Sequence, residues 1–211
     1  MPLDDPLRWS LVIPVKVLAL AKSRLTGLAG PARAELALAM AADTVTAACA
    51  AAGSVIVVTD DAAARAELSG LGAVVVPDQP GDGLNAALRF GAEQADQRWP
   101  GRGRAGLAAD LPALGAAELG RALAAAAGAS EAFVPDAAGT GTTLYAAGPG
   151  VAFHPRFGVG SRAAHLSAGA VELRIPGLDG LRRDVDTLDD LRDAVRIGLG
   201  PHTGAAVGAL A

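Results

Sequence analysis

Short, almost uninterrupted runs of aliphatic and β-branched residues recur along this chain, and strong helix formers separate them. Trp9 to Val17 reads WSLVIPVKV, 54–60 reads SVIVVTD, 73–78 reads AVVVPD and 105–110 reads AGLAAD. Strands that are apolar on both faces must be covered on both faces, which points to a parallel sheet between helical layers. Stretches at 32–52, 61–69, 83–97 and 115–128 supply the helices, 131–135 adds a strand, and the crossovers should be right-handed. After Asp136 the rhythm changes. A polar turn, Gly139 to Thr143, leads into a strand at 144–147; 162–168 reads as helix and 171–175 as strand. Residues 186–198 read as a helix capped by Asp186, with acids in its first turn and arginines later. The fold class is α/β: a mostly parallel sheet flanked by helices, with a small antiparallel elaboration in the C-terminal third. Residues 1–198 read as a single domain, and 199–211, which lack periodicity, as a flexible tail.

Composition narrows the function. Of 211 residues, 50 are alanine and 27 glycine, a bias that suggests a GC-rich genome. A formal net charge of −4 argues against a broad nucleic-acid-binding face. The lone Cys49 excludes an internal disulfide and a Cys-cluster zinc site, and in its Ala-rich surroundings it reads as an inert buried thiol. No signal peptide opens the chain, and the apolar stretch 36–52 is interrupted by Asp43, which argues against a membrane span. The expectation is a cytoplasmic protein with small-molecule partners.

Ligands of a doubly wound sheet bind beyond the carboxyl ends of the strands. There the chain offers Pro14, Val15 and Lys16 after the first run, with Lys22, Ser23 and Arg24 close behind. It also offers the loop Gly81-Asp82-Gly83-Leu84-Asn85, the acid of Asp110-Leu111-Pro112, and Asp184-Val185-Asp186. Cations, glycines and hard carboxylate oxygens in one place suit a nucleoside triphosphate with Mg2+. Only two of 18 basic residues are lysine, and both lie in this one segment, where a compact ammonium serves as a phosphate ligand; the plainer alternative is a pair of solvated loop charges. Asp110 is a metal-ligand candidate or the N-cap of a helix over 113–120. Asp184 and Asp186 share one side of an extended segment, although Asp186 also fits a helix cap. Gly158-Val159-Gly160-Ser161-Arg162-Ala163 matches G-x-G-x-x-A but follows no first strand, so an anion-binding turn or an ordinary glycine turn fits it better than a dinucleotide site. The histidines at 154, 165 and 202 have no metal-ligand spacing.

Val12-Ile13-Pro14-Val15-Lys16 followed by Ala21-Lys22-Ser23-Arg24-Leu25 resembles the opening of the CofC-type guanylyltransferases of deazaflavin coenzyme F-420 biosynthesis. The resemblance continues through Gly83-Leu84-Asn85, Ala109-Asp110-Leu111-Pro112, Gly141-Thr142-Thr143-Leu144, Phe157 to Ser161 and Asp184-Val185-Asp186-Thr187, covering 11 to about 195. It implies a Rossmann-like nucleotidyltransferase that joins GMP from GTP to a three-carbon phosphorylated acid and releases diphosphate. The acid is phosphoenolpyruvate in the actinobacterial type, which the composition favours, and 2-phospho-L-lactate in the archaeal type. By position, Thr143, Gly158 and Ser161 match the family's sites for the acid. Asp110, Asp184 and Asp186 match the Mg2+ sites, with one or two ions. Pro14, Lys16, Lys22, Gly83 and Asn85 fall on the nucleotide side, and Lys16, Lys22, Arg24 and Asp110 are the expected catalytic group. The product would pass to the next enzyme of the pathway. The glycine-rich first loop of sugar nucleotidyltransferases is absent.

Other classes remain. A glycosyltransferase could use Asp184-Val185-Asp186 with a nucleotide sugar, although that motif usually stands mid-chain. A regulatory domain could bind nucleotide without turnover.

Overall fold

The computed structural model describes residues 9–18, 25 and 29–210. Its elements, in order, are β1 (Trp9–Pro14), α1 (Gly30–Ala52), β2 (Val55–Val58), α2 (Ala62–Gly70), β3 (Val74–Val76), α3 (Leu84–Arg98), β4 (Gly103–Leu107) and α4 (Ala116–Ala126). They continue with β5 (Glu131–Pro135), β6 (Thr142–Ala147), α5 (Ser161–Ser167), β7 (Val171–Glu172), α6 (Asp179–Arg182), α7 (Leu188–Ile197) and α8 (Pro201–Gly208). The described strands make one sheet in the order β3-β2-β1-β4-β6-β5-β7. Strands β1 to β4 run parallel, β6 runs antiparallel to both β4 and β5, and β7 is parallel to β5. The expected antiparallel elaboration is therefore β6 alone.

Alternate residues of each strand serve opposite layers. Leu11, Ile13, Val55, Val57, Ala105, Leu107, Leu144 and Val134 belong to the larger core, which also takes in α1 and α4. Val12, Ile56 and Val58 face the other way and pack with Ala87, Leu88 and Ala92 of α3. Gly106, opposite Val12 and Tyr145 in register, joins that second face, as do Tyr145 and Phe133. So α3 and the segment around α5 cover the same side of the sheet.

Helix α1 is long and apolar enough to cross a membrane, yet 61% of its most apolar window is buried inside the fold. Its sequence explains both facts. Pro31 sits at its start, Gly53 closes it in the left-handed conformation (φ 66°), and Leu36, Met40 and Val45 pack inward.

The structure differs from sequence expectation at several points. Residues from 199 onward are not an irregular tail: Pro201–Gly208 forms α8, packed on α1. Asp43, buried in the middle of apolar α1, accepts hydrogen bonds from the backbone N–H of His202 (3.0 Å) and Thr203 (2.8 Å). A buried carboxylate needs donors, and the first turn of a helix has unpaired ones. Gly200 permits this approach, since a Cβ there would lie 2.3 Å from the Asp43 carboxyl carbon. Second, the cap of α7 is Thr187, with Asp190 closing a reciprocal capping box, and not Asp186. Third, Asp110 caps no helix, because α4 begins later, after Gly115, whose N–H donates to Glu118. A short α6 also interrupts the stretch between β7 and α7, and β7 stops at Glu172.

Candidate active site

The carboxyl ends of β1 to β5 and the start of antiparallel β6 share one edge of the sheet, so residues scattered from 14 to 186 in sequence gather there. Pro14 ends β1, Val15 still donates to Val58 (2.9 Å), and Lys16 stands exposed beyond. The outgoing chain is tied at Leu18, whose N–H donates to Asp61, the N-cap of α2 (2.9 Å). Lys22 and Arg24 lie outside the described residues.

Four carboxylates follow. Asp110 trails β4, and its carbonyl accepts from the Val185 N–H (3.1 Å). Leu111 N–H is anchored on the Thr44 hydroxyl of α1 (3.1 Å). Val185 is fully buried with Leu25, Leu36 and Met40, so Asp184 and Asp186 flank an inward-pointing anchor beside Asp110. Arg182 holds the incoming segment by donating to the carbonyls of Pro135 (3.1 Å) and Asp136 (3.0 Å). Burial, and then the charges of Asp110, Asp136 and Asp186, push the Asp184 carboxyl up to about 7. Asp136 was not singled out by the sequence reading, although it ends its strand just as Asp110 does. Its two oxygens accept from Thr140 (2.9 Å) and Gly141 (2.8 Å), shaping the turn into β6. Among the described residues no three His, Cys, Asp or Glu side chains form a ready-made metal cage.

Thr143 lies near the start of β6, and Gly158 and Ser161 lie in the turn that opens α5, which is bonded to the loop before β6. Thr143 pairs β6 with the end of β4 through its carbonyl, which accepts from Ala108 (2.8 Å), and its buried hydroxyl has no hydrogen-bond partner among the described residues. Ser161 N–H donates to Gly158 (3.1 Å), and Arg162 N–H to Thr140 (3.2 Å), lacing the glycine turn to the loop before β6. Gly158 (φ 127°) and Gly160 (φ 71°) occupy conformations that side chains rarely adopt, and Val159 between them is fully exposed. The G-x-G-x-x-A match opens α5 late in the chain, which removes the dinucleotide reading.

His165 backs this turn. Its ring stacks on Phe133 (5.4 Å between centroids) and on Tyr145, the strand partner of Phe133 (4.8 Å), and is wholly buried. Nε2 accepts from the Arg156 N–H (3.0 Å), so the proton of the neutral ring sits on Nδ1 and is donated to the Thr142 hydroxyl (3.0 Å). Burial first, then the Arg156 charge, lower its pKa to about 4. The sequence reading had found only the absence of metal spacing here.

On the nucleotide side, Gly83 (φ 82°) precedes α3, whose first turn has no side-chain cap. The Asn85 amide is engaged by backbone of the loop before α5. Its amide Nδ2 donates to the Phe157 carbonyl (2.9 Å) and Oδ1 accepts from the Phe157 N–H (2.8 Å).

Residues 9–205 match the family model described as Guanylyl transferase CofC like. A phosphoenolpyruvate guanylyltransferase from Thermomonospora curvata is 63% identical over 204 residues, covering 96% of this chain and 90% of the relative. One of the same description from Streptosporangium roseum is 53% identical over 209 residues, covering 98% and 94%. Among solved structures, a nucleotidyl transferase from Methanothermobacter thermautotroptrophicus superimposes with a TM-score of 0.52 at 19% identity, covering 90% of this chain and 97% of that one. A Mycobacterium tuberculosis protein crystallised with manganese reaches 0.53 at 20% identity, covering 90% and 98%. These likenesses establish the Rossmann-like nucleotidyltransferase fold, and the sequence matches establish more: the chain is a guanylyltransferase and belongs to the CofC-like guanylyl transferase family.

Proposed function

We propose that this enzyme transfers GMP from GTP to phosphoenolpyruvate, giving enolpyruvyl-diphospho-guanosine and diphosphate, as a cytoplasmic step of coenzyme F-420 biosynthesis. The observation that carries the reading is the meeting, at one sheet edge, of the Gly81–Asn85 loop, the acidic group and the Gly158–Ser161 turn. Relatives described as phosphoenolpyruvate guanylyltransferases, 63% and 53% identical, supply the choice of acid.

A phosphate oxygen of the acid attacks the α-phosphorus of GTP, and the bond to the β-phosphate breaks as diphosphate leaves. Such a nucleophile is already anionic, so the protein's work is positioning and charge neutralisation, without a general base. Gly83 lets the backbone approach the nucleotide, and the open first turn of α3 offers N–H groups to it. Lys16, with Lys22 and Arg24, neutralises the leaving diphosphate. Thr143, Gly158 and Ser161 hold the acid, the orphaned Thr143 hydroxyl being a donor in want of an acceptor. Asp110, Asp184 and Asp186 would hold Mg2+, whose chemistry is to offset charge on the phosphate oxygens. Burial first, and then the neighbouring carboxylates, raise the Asp184 pKa, and a cation bound beside them would favour the charged form.

The test is incubation with GTP, Mg2+ and, in turn, phosphoenolpyruvate, 2-phospho-L-lactate and 3-phosphoglycerate, with mass detection of the guanylylated product. Enolpyruvyl-diphospho-guanosine is expected. A product from phospholactate alone would overturn the choice of acid, and nucleotide binding without diphosphate release would overturn the reaction.

A further inference from the structure

Two loops approach each other on the face of the sheet shared by α3 and α5. One, Gly81–Asn85, brings the chain from β3 into α3; the other, 153–160, brings it from β6 into α5. The Asn85 side chain bridges them. The Asn85 amide offers one acceptor and one donor group, and it uses them on the N–H and the carbonyl of the same residue, Phe157, at 2.8 and 2.9 Å. The partners are 72 residues apart.

Phe157 is held from other directions as well. Its ring packs against the cluster of Val12, Leu88 and Ala92 and meets His165 edge-on at 5.9 Å. One residue earlier, the Arg156 N–H is fixed on His165 Nε2 (3.0 Å). The two residues just before the acceptor turn are thus pinned, whereas Gly158, Val159 and Gly160 are exposed and Ser161 is buried again. The Asn85 bond and the packing of the Phe157 ring together fix where the turn of Gly158 to Ser161 begins relative to the start of α3.

We propose that Asn85 is a positioning residue that couples the two substrate loops. It does not read guanosine; occupancy of the nucleotide loop orders the acceptor turn through the Asn85–Phe157 pair, and the reverse. The inference rests on the acid being held at Gly158–Ser161. If both ligands need the pair ordered, the first to bind bears the ordering cost and the second binds more tightly, by a factor that must be equal in both directions.

The experiment measures the dissociation constant of α,β-methylene-GTP, which cannot transfer GMP, by calorimetry with and without saturating phosphoenolpyruvate. It is run on the wild type, Asn85→Ala and Asn85→Asp alongside steady-state diphosphate release. Asn85→Asp keeps the acceptor for the Phe157 N–H but sets an oxygen against its carbonyl, so it reports even if the alanine variant folds poorly. In the wild type, phosphoenolpyruvate should tighten the analogue by roughly fivefold or more. In both variants that factor should fall toward one and the KM for phosphoenolpyruvate rise about tenfold, with analogue affinity in the absence of the acid within about twofold of wild type. Weakened analogue binding with an unchanged KM for the acid would make Asn85 a direct nucleotide ligand and overturn the inference. Retention of the coupling factor in a variant that is merely less stable, or its absence from the wild type, would overturn it as well. Should the wild type turn over a different acid, the reading of the acceptor fails separately and coupling is measured with that acid.

Discussion

The carboxylate of Asp43 accepts the backbone N–H of Thr203 at 2.8 Å, across 160 residues, and so joins the middle of the longest described helix to the start of the last. Asp43 is 4% exposed. Asp43→Ala leaves the buried Thr203 N–H and the half-buried His202 N–H unpaired and should cost about 2–4 kcal/mol in urea denaturation. Truncation before Gly200 strands the carboxylate instead and should cost at least as much, because an uncompensated buried charge is the more expensive defect. A truncated chain of unchanged stability would show that α8 is dispensable.

Asp110→Asn should lower kcat by about 100-fold or more at saturating Mg2+. Asp184→Asn should do the same but raise the stability of the metal-free protein at pH 8, because it removes one of four carboxylates that repel one another. Opposite signs in activity and melting temperature are the readout. A destabilised Asp184→Asn protein would mean that the charge is structurally required.

Thr143→Val tests the orphaned hydroxyl. The isosteric methyl removes a buried group that has no partner among the described residues, so stability should stay level or rise slightly. The KM for phosphoenolpyruvate should rise about tenfold if that hydroxyl donates to the acid. An unchanged KM would take Thr143 out of the acceptor site.

Lys16→Ala should raise the KM for GTP about tenfold at low ionic strength and by less at high ionic strength, because salt screens the exposed Lys16 ammonium. Equal KM values would return Lys16 to the solvated loop charges.

His165 predicts a pH signature. Its folded pKa, about 4, lies below the ordinary 6.5, so the unfolded chain binds the extra proton first. Stability is therefore fully present above pH 6.5 and falls as pH drops toward 4; the interval is equivalent to about 3 kcal/mol. The nearby charges of Arg156 and Glu131 pull in opposite senses, and burial outweighs both. His165→Gln should flatten this slope in acid-titrated urea curves.

The order of strands and helices, the parallel core and the acids at strand ends were legible in local sequence. Period-two and period-3.6 patterns are short-range, and Ala-rich helices between runs such as VIVV leave few alternatives. Asp110, Thr143 and Ser161 stand out in sequence as candidates because their motifs are contiguous. Asn85 was visible as a residue but not as a contact, since the Phe157 it grips is 72 positions away. Asp136 and His165 carried no distinctive spacing, and the ending of the chain looked structureless because what orders it is Asp43. By itself, then, the sequence determined which segments become the strands and helices of the parallel core and which family they belong to. Tertiary structure decided which polar groups meet, because burial makes a partner obligatory while only the strand order sets which partner is within reach.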